Sequence, residues 1–146
     1  GYKKILDRIC ESSGGGKVKM VGGIYNLDVL NMLRQHCAGV IHGHSAGGTN
    51  PSLLEAMAMK LYVVAHDNMF NRHVLANEGD FFTSSDDLAE ILDKMGNKSD
   101  RRNEIGAKNY DRVVNHYLWD RCMGAHDLAF RQLFLTDGDI IDPANS

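Results

Sequence analysis

The chain alternates short apolar runs with amphipathic stretches, which predicts strands and helices in turn. Apolar positions at helical spacing predict helices over residues 2–12 and 26–36, on either side of a strand candidate at 18–21. A second strand is predicted at 39–42. The continuous, β-branched-rich run at 61–65 is typical of a strand buried on both faces. Strands that alternate with helices indicate βαβ units and therefore an α/β, Rossmann-like parallel sheet with flanking helices.

The second half of the chain continues this alternation. Asn50 followed by Pro51 marks a helix start, and the apolar face of that helix is Leu53, Leu54, Met57 and Ala58. Further elements are predicted as a helix at 70–77, a strand at Phe81-Phe82, a helix from Ser84 or Ser85 to Met95, a helix from Ser99 past Val114, and a helix at 118–135. Because a full Rossmann-type sheet has about six strands, three or four strands predict an incomplete lobe. Residues 1–135 are assigned to it, and 136–146 to a polar tail.

Composition narrows the class of protein. The 146 residues carry 16 Lys and Arg against 19 Asp and Glu, so a net charge of −3 gives no basic footprint for nucleic acid. Three widely spaced cysteines favour reduced thiols and a cytoplasmic location over a disulfide frame. The chain opens on Gly1 without a basic-then-apolar leader, and we expect it to be a piece of a longer protein.

The segment at 40–55 carries the candidate chemistry, because it runs from a strand through a glycine turn into a capped helix. Gly47 and Gly48 allow close backbone approach, and a helix start favours an anion such as a phosphate or diphosphate. Glu55 follows about one turn into the helix, where a carboxylate can accept hydrogen bonds from sugar hydroxyls. The alternative is a well-capped crossover helix with a surface glutamate.

A serine hydrolase is the main alternative function. Gly43-His44-Ser45-Ala46-Gly47 matches the nucleophile-elbow pattern after a strand, and Asp67, His116 and His126 follow in the usual chain order. An elbow starts its helix at the serine, however, which would place Pro51 in the helix interior at a cost of about 3 kcal/mol. The hydrolase is therefore the less favoured interpretation.

The sequence gives even weaker support to two other kinds of site, a metal site and a dinucleotide site. His42 and His44, with His66-Asp67 after the next strand, could approach one another as metal ligands. The competing interpretation places one histidine of the alternating pair in the core and the other in a ligand loop. A dinucleotide-binding fingerprint does not follow any predicted strand. We therefore expect no metal and no cofactor.

Several motifs follow one another along the chain in a recognisable order. They are Val18-Lys-Met-Val-Gly22, Pro51-Ser-Leu-Leu-Glu-Ala-Met-Ala58, Val63-Val64-Ala65, Asn77-Glu-Gly-Asp-Phe-Phe82, Leu88-Ala89-Glu90 and Tyr117-Leu-Trp-Asp-Arg121. In this order they resemble the donor-binding C-terminal lobe of GT-B retaining glycosyltransferases. The string from His42 to Ala56, with Ala65-His-Asp-Asn-x-x-Asn-Arg72 after it, is similar to a subgroup of bacterial rhamnosyl- or other hexosyltransferases for surface polysaccharides.

The resemblance implies roles for particular residues. Glu55 matches the glutamate that binds the nucleotide ribose, whereas Gly47 stands where the family has a glutamate that contacts the donor sugar. Contacts to the sugar and diphosphate are therefore assigned to His44, Ser45, Gly47, Gly48, Thr49 and Asn50. Gly23 and Ile24 match the seat of the base. Asp67, Asn71 and Arg72 are assigned to the cleft, unless Arg72 is an exposed residue paired with Glu78.

The resemblance also implies an activity and its partners. The expected reaction moves a hexose from a UDP-, dTDP- or GDP-linked sugar to a glycan or lipid-linked acceptor with retention, in the cytoplasm or at the inner face of the membrane. No basic segment precedes Tyr2, so we expect this chain to bind nucleotide weakly and to catalyse nothing alone. The remaining alternatives are a sugar-nucleotide epimerase and an interaction domain that docks through the helix at 118–135.

Overall fold

The computed structural model describes residues 1–12, 18–95 and 99–134. Along them the elements run in this order: α1 (Tyr2–Ser12), α2 (Leu27–His36), β1 (Val40–His42), α3 (Pro51–Ala58), β2 (Val63–His66), α4 (Met69–Leu75), β3 (Asp80–Phe82), α5 (Ser85–Met95), α6 (Ser99–His116) and α7 (Trp119–Phe134). The predicted tail at 136–146 and the helix stop at Gly96 lie outside the described residues. The chain divides into two compact units, Gly1–Leu33 and Arg34–Ser146.

The first unit contains α1 and the start of α2. Asn26 begins α2 by accepting hydrogen bonds at Oδ1 from the backbone N–H groups of Asp28 (3.0 Å) and Val29 (3.1 Å). The prediction of a strand at 18–21 is wrong, because these residues adopt no regular structure. Each hydrophobic side chain in that stretch is more than half exposed. A short apolar run becomes a strand only where a neighbouring strand supplies the ladder of hydrogen bonds.

The second unit contains a parallel sheet in the order β1-β2-β3. Strands β1 and β2 pair with Val40 opposite Val63 and His42 opposite Ala65. Strands β2 and β3 pair with Val64 opposite Asp80 and His66 opposite Phe82. Helix α3 connects the first pair and α4 the second, so the predicted βαβ units and the α/β fold class are confirmed.

The core of the second unit lies around β2. Residues 61–65 are all buried, as their continuous, β-branched-rich pattern predicts. They pack with Leu53, Met57, Val74 and Leu75 on one side and with Ile105 on the other. One detail of α3 differs from the prediction: Ala56 is buried and Ala58 is exposed, because the helix turns Ala56 onto the sheet beside Leu53 and Met57.

Candidate functional site

A cleft of about 730 Å³ lies where β1 ends and the glycine-containing loop begins. Its lining comes entirely from the second unit: Arg34, Val40, Ile41, His42, Gly43, His44, Ser45, Ala46, Ser52 and Ala56. In parallel α/β sheets, ligands bind outside the carboxyl ends of the strands, which is where this cleft is. The position predicted for the site from the strand–loop–helix pattern therefore coincides with a cavity.

Helix α3 begins as its sequence predicts. Asn50 is the N-cap, with φ −96° and ψ 125°, and Pro51 follows at the first helical position. The Asn50 Oδ1 accepts from the Ser52 backbone N–H at 3.0 Å and from the Ser52 hydroxyl at 2.7 Å. The N–H groups of Leu53 and Leu54 donate to the Asn50 carbonyl. The helix contributes its dipole to the site, while its own first N–H groups are already used.

The loop before α3 has unbonded backbone N–H groups, whereas the first N–H groups of α3 are already bonded. Gly47 has φ +109°, a conformation that glycine adopts without the strain that a Cβ would bring. Gly47, Gly48 and Thr49 donate no backbone hydrogen bond to any other residue that the structure describes. Their N–H groups are exposed donors next to the positive end of α3, which is an arrangement that suits an anion.

The position of Ser45 argues against the hydrolase alternative. Ser45 lines the cleft, but it lies in an exposed loop, and α3 begins six residues later, at Pro51. A nucleophile elbow requires the helix to begin at the serine, so that the helix dipole and neighbouring N–H groups serve the reacting oxygen. Asp67, the first suggested partner of this serine, is instead bound to Arg72. The structure gives the hydrolase interpretation no support.

Two asparagines fix the first part of the loop. The carbonyl oxygen of His44 accepts from the side-chain amides of Asn68 at 3.0 Å and Asn71 at 3.1 Å. The Asn71 amide, which is buried, also donates to the carbonyl of His66 at 2.8 Å. Asn68 additionally caps α4 by accepting from the Asn71 N–H at 2.8 Å. Asn71, assigned to the cleft from the sequence, does not line it and acts as a tether between two strand ends.

The two histidines of the alternating pair differ in burial. His42 is 5% exposed, whereas His44 is exposed, which is the arrangement expected from the competing interpretation of the pair. Their rings stack with centroids 4.9 Å apart. Burial, and to a lesser extent the neighbouring His44, lowers the pKa of His42. The Nε2 atom of His42 is buried and has no hydrogen-bond partner among the described residues. Leaving such an atom unpaired costs about 1–3 kcal/mol.

Glu55 forms an ion pair with Arg34, a residue for which the sequence predicts no role. The Arg34 Nη2 donates to the Glu55 Oε2 at 2.6 Å. The Arg34 side chain is 15% exposed and lines the cleft, while the Glu55 side chain is 53% exposed. The carboxylate keeps further lone pairs for a ligand. Arg34 falls on α2, more than twenty residues away in sequence, so only the folded chain reveals the pair.

Asp67 and Arg72 form a two-point ion pair with each other. The Arg72 Nε donates to the Asp67 Oδ1 at 2.5 Å and its Nη2 to the Oδ2 at 2.8 Å. This pairing lowers the pKa of Asp67. The suggested partner of Arg72, Glu78, instead binds Lys108 at 3.4 Å. Arg72 is therefore an ion-paired surface residue, as the alternative interpretation expected. Its partner is Asp67 rather than Glu78.

The remaining predicted residues divide between the two units. Thr49 and Gly48 are exposed in the loop, and Asn50 is the helix cap, but none of them lines the cleft. Gly23 and Ile24 belong to the first unit, and their contact with the nucleotide base stays a prediction. Within the described ranges, no group of three or more His, Cys, Asp and Glu side chains is placed to hold a metal ion. Nor is any helix there long and apolar enough to cross a membrane.

The sequence did not predict the contacts of three residues at the candidate site, which are Arg34, His42 and Asn68. Asn68 had a local signal, because an asparagine directly before an apolar-periodic stretch is a helix cap. His42 was noted only as one of a possible metal pair, since burial and an unpaired ring nitrogen are properties of the folded chain. Arg34 had no signal, because an arginine on an amphipathic helix is ordinarily a solvated residue.

Comparison with known proteins identifies the family. The family model described as glycosyl transferase-like matches residues 3–125. The chain therefore belongs to the glycosyl transferase-like family. A search of curated proteins gave no match.

A solved structure has a similar fold. It is the C-terminal domain of a glycosyl transferase group 1 family protein (LpcC) from Francisella tularensis, with a TM-score of 0.70 and 24% sequence identity. The match covers 81% of this chain and 63% of that one, so this chain spans less than two thirds of the solved domain. The likeness agrees with the predicted fold, a C-terminal lobe of GT-B type.

Proposed function

We propose that this chain is the donor-binding part of a glycosyltransferase that moves a hexose from a nucleotide-diphosphate sugar to a glycan or lipid-linked acceptor. The observation that carries the proposal is the cleft at the end of β1, which is lined by Arg34 and by the start of α3. The exposed loop amides at 47–49 and the Glu55 carboxylate that Arg34 holds adjoin this lining. Membership of the glycosyl transferase-like family supports the reaction class. Retention, a bacterial surface polysaccharide as product and a cytoplasmic location belong to the same proposal.

In this proposal the diphosphate binds to the loop. The N–H groups of Gly47, Gly48 and Thr49 are donors without partners among the described residues, and they lie next to the positive end of the α3 dipole. Arg34, which is paired with Glu55, lines the adjoining cleft with its guanidinium group. During transfer, negative charge develops on the leaving diphosphate, so these fixed donors stabilise the transition state as well as the ground state. We assign no residue as a proton-transferring catalyst.

Glu55 binds the ribose in this proposal. Arg34 holds one of its oxygens at 2.6 Å, which fixes the carboxylate, and the exposed half of the side chain remains able to accept hydrogen bonds from two neighbouring hydroxyls. A hydrogen bond to a charged group contributes about 1.5–3 kcal/mol. Losing the charge at this position should therefore weaken nucleotide binding by about tenfold or more.

The test is a calorimetric and NMR titration of the chain with UDP, dTDP and GDP. We expect saturable binding of one of them, with chemical-shift changes concentrated at residues 47–55. The Glu55→Gln variant should bind that nucleotide about tenfold more weakly. Its amide oxygen still accepts from Arg34, so its thermal midpoint should stay close to that of the unchanged chain.

The matched control is Glu90→Gln, which neutralises a glutamate on α5 that is paired with Lys94. This change should leave nucleotide affinity as it was, because Glu90 pairs with Lys94 on its own helix, whereas Glu55 pairs with Arg34 in the lining of the cleft. Equal affinity in Glu55→Gln and Glu90→Gln would remove Glu55 from the site. Absence of binding by all three nucleotides would contradict the proposed function as a whole.

A further inference from the structure

The ion pair between Arg34 and Glu55 joins two helices beside the cleft. Arg34 lies near the end of α2, and its Nη2 atom donates at 2.6 Å to the Oε2 atom of Glu55 on α3. The Arg34 side chain is 15% exposed, whereas the Glu55 side chain is 53% exposed. The arginine is therefore the member of the pair that its surroundings hold, and the carboxylate is the member that a ligand can reach.

The Glu55 carboxylate keeps hydrogen-bonding capacity that Arg34 does not use. An ionised carboxylate accepts at about four lone-pair positions on its two oxygens. Among the residues that the structure describes, only Arg34 donates to this carboxylate, and it does so at Oε2. The remaining positions can accept from two neighbouring hydroxyl groups at once, which is the arrangement that the 2′- and 3′-hydroxyls of a ribose offer.

A carboxylate recognises two hydroxyl groups together only when its orientation is fixed. A single hydroxyl can follow a mobile carboxylate through several rotamers, whereas two hydroxyls on a rigid ring require two lone pairs of defined direction. An exposed glutamate that is ordered only when the ligand binds loses affinity, because its rotamer entropy is lost at that step. Arg34 orders Glu55 beforehand. The pair itself contributes little to the stability of the fold, because its carboxylate is half exposed.

We propose that Arg34 is a positioning residue, which orients the Glu55 carboxylate so that it binds the 2′- and 3′-hydroxyl groups of the donor's ribose together. This inference rests on the proposed function, because it assigns the selectivity of the same nucleotide site. Arg34 acts on the 2′-hydroxyl through Glu55 and makes no contact with the ribose. A residue that binds the diphosphate, or that only stabilises the fold, has no reason to distinguish ribose from 2′-deoxyribose.

The experiment compares three pairs of nucleotides that differ only at the 2′ position: UDP and 2′-deoxy-UDP, GDP and 2′-deoxy-GDP, and ribothymidine diphosphate and dTDP. For the pair that binds, calorimetry gives the ratio of the two dissociation constants, which we call the ribose preference. We expect the unchanged chain to favour the ribose form by about tenfold, through one further hydrogen bond to a charged group. Arg34→Met should reduce this preference by about fivefold. Arg34→Lys keeps a charged donor and should restore part of it.

The ribose preference separates the positioning of Glu55 from its charge. Removing the arginine also leaves Glu55 without its counter-charge, and the carboxylate then repels the diphosphate. This repulsion is the same for both members of a nucleotide pair, so it cancels in the ratio. The double variant Arg34→Met/Glu55→Gln supplies a second readout. Because Arg34 acts through Glu55, the double variant should have the same ribose preference as Glu55→Gln alone.

The matched control is Arg101→Met, which breaks another pair between an arginine and a carboxylate on different elements. Arg101 on α6 binds Asp80 at 2.7 Å. Asp80 begins β3, so this pair lies at the opposite end of the parallel strands from the cleft. The control should keep the full ribose preference. The thermal midpoint of each variant identifies any change in folding, and Arg34→Lys keeps the test open if Arg34→Met does not fold.

Three results would overturn the inference. One is equal binding of the ribose and 2′-deoxyribose forms by the unchanged chain. Another is an unchanged ribose preference in Arg34→Met, which indicates a diphosphate contact or a structural role. The third is a lower preference in the double variant than in Glu55→Gln, which indicates that Arg34 touches the ribose itself. If the unchanged chain binds none of the nucleotides, the proposed function fails and the inference falls with it, so the titration of the unchanged chain tells the two failures apart.

Discussion

At the scale of single residues, Gly106 decides how closely α6 approaches the turn before β2. A Cβ atom added at Gly106 would lie 2.0 Å from the carbonyl oxygen of Lys60 and 2.8 Å from its carbonyl carbon. Both are backbone atoms of a residue with φ +58°, which has little freedom to shift. Glycine is therefore required here by packing, although a glycine in a helix interior is otherwise unfavourable by about 1 kcal/mol.

Gly106→Ala should lower the free energy of unfolding by about 3 kcal/mol, because the added methyl group forces two backbones apart. Urea denaturation followed by circular dichroism measures the change. The matched control is Gly124→Ala on α7, where an added Cβ meets nothing within 4 Å. That substitution should be neutral or stabilising by up to about 1 kcal/mol, through helix propensity alone. Equal unfolding midpoints for the two variants would contradict the packing argument.

At the scale of elements, the start of α4 holds the loop that forms one wall of the cleft. The side chains of Asn68 and Asn71 converge on the carbonyl oxygen of His44, and Asn71 also binds the carbonyl of His66. Loops carry function only when a rigid scaffold positions them. Here the scaffold is the first turn of a helix, and the loop after β1 is fixed by the element that follows β2.

Asn71→Asp should destabilise this arrangement, because the carboxylate keeps the shape of the amide but faces two carbonyl oxygens without a donor. We expect a loss of about 2–3 kcal/mol of stability and altered amide signals at residues 43–46. Denaturant unfolding and amide NMR spectra measure the two effects. Asn103→Asp, an exposed position on α6, makes the same chemical change and should alter neither quantity. Unaltered signals at 43–46 in Asn71→Asp would show that the tether is dispensable.

At the scale of the whole molecule, burial is concentrated around the central strand. Strand β2 is hydrogen-bonded on both edges, and residues 61–65 are buried. In the first unit, by contrast, none of the residues with a described side chain is buried. Local opening is easiest where few apolar groups are buried, so stability should be distributed unevenly along the chain.

Amide hydrogen exchange should therefore be slowest in Val63–His66 and fastest among helical residues in Tyr2–Ser12. Exchange followed by mass spectrometry gives the protection of each segment. Helix α5 serves as an intermediate reference. Exchange from α1 as slow as that from β2 would contradict this distribution of stability.

Local signals explain which elements were predictable. Helix starts at Asn26 and Asn50 were predictable because capping depends on neighbours in sequence. The buried run at 61–65 was predictable because a continuous apolar stretch of that length indicates a central parallel strand. The strand candidate at 18–21 is shorter and is interrupted by Lys19. A strand also needs a partner strand, which no local pattern reports.

The candidate site was predictable in position and only partly in detail. The glycine turn and the start of α3 were visible in sequence because strand, loop and helix follow one another directly. The contacts of Arg34, Asn68 and Asn71 were not predictable, since each binds a residue more than twenty positions away. Long-range pairs of this kind depend on how the elements pack.

By itself the sequence determined the order of strands and helices from α2 onward, the α/β class and the helix cap at Asn50. It also predicts the glycine loop as the place for an anion. These follow from local backbone preference and hydrophobic periodicity, which act over a few residues. The tertiary structure alone decided that Arg34 holds Glu55, that two asparagines tether the loop, and that His42 is buried with an unpaired nitrogen at the cleft. These depend on contacts between distant segments, which only the packed sheet and helices bring together.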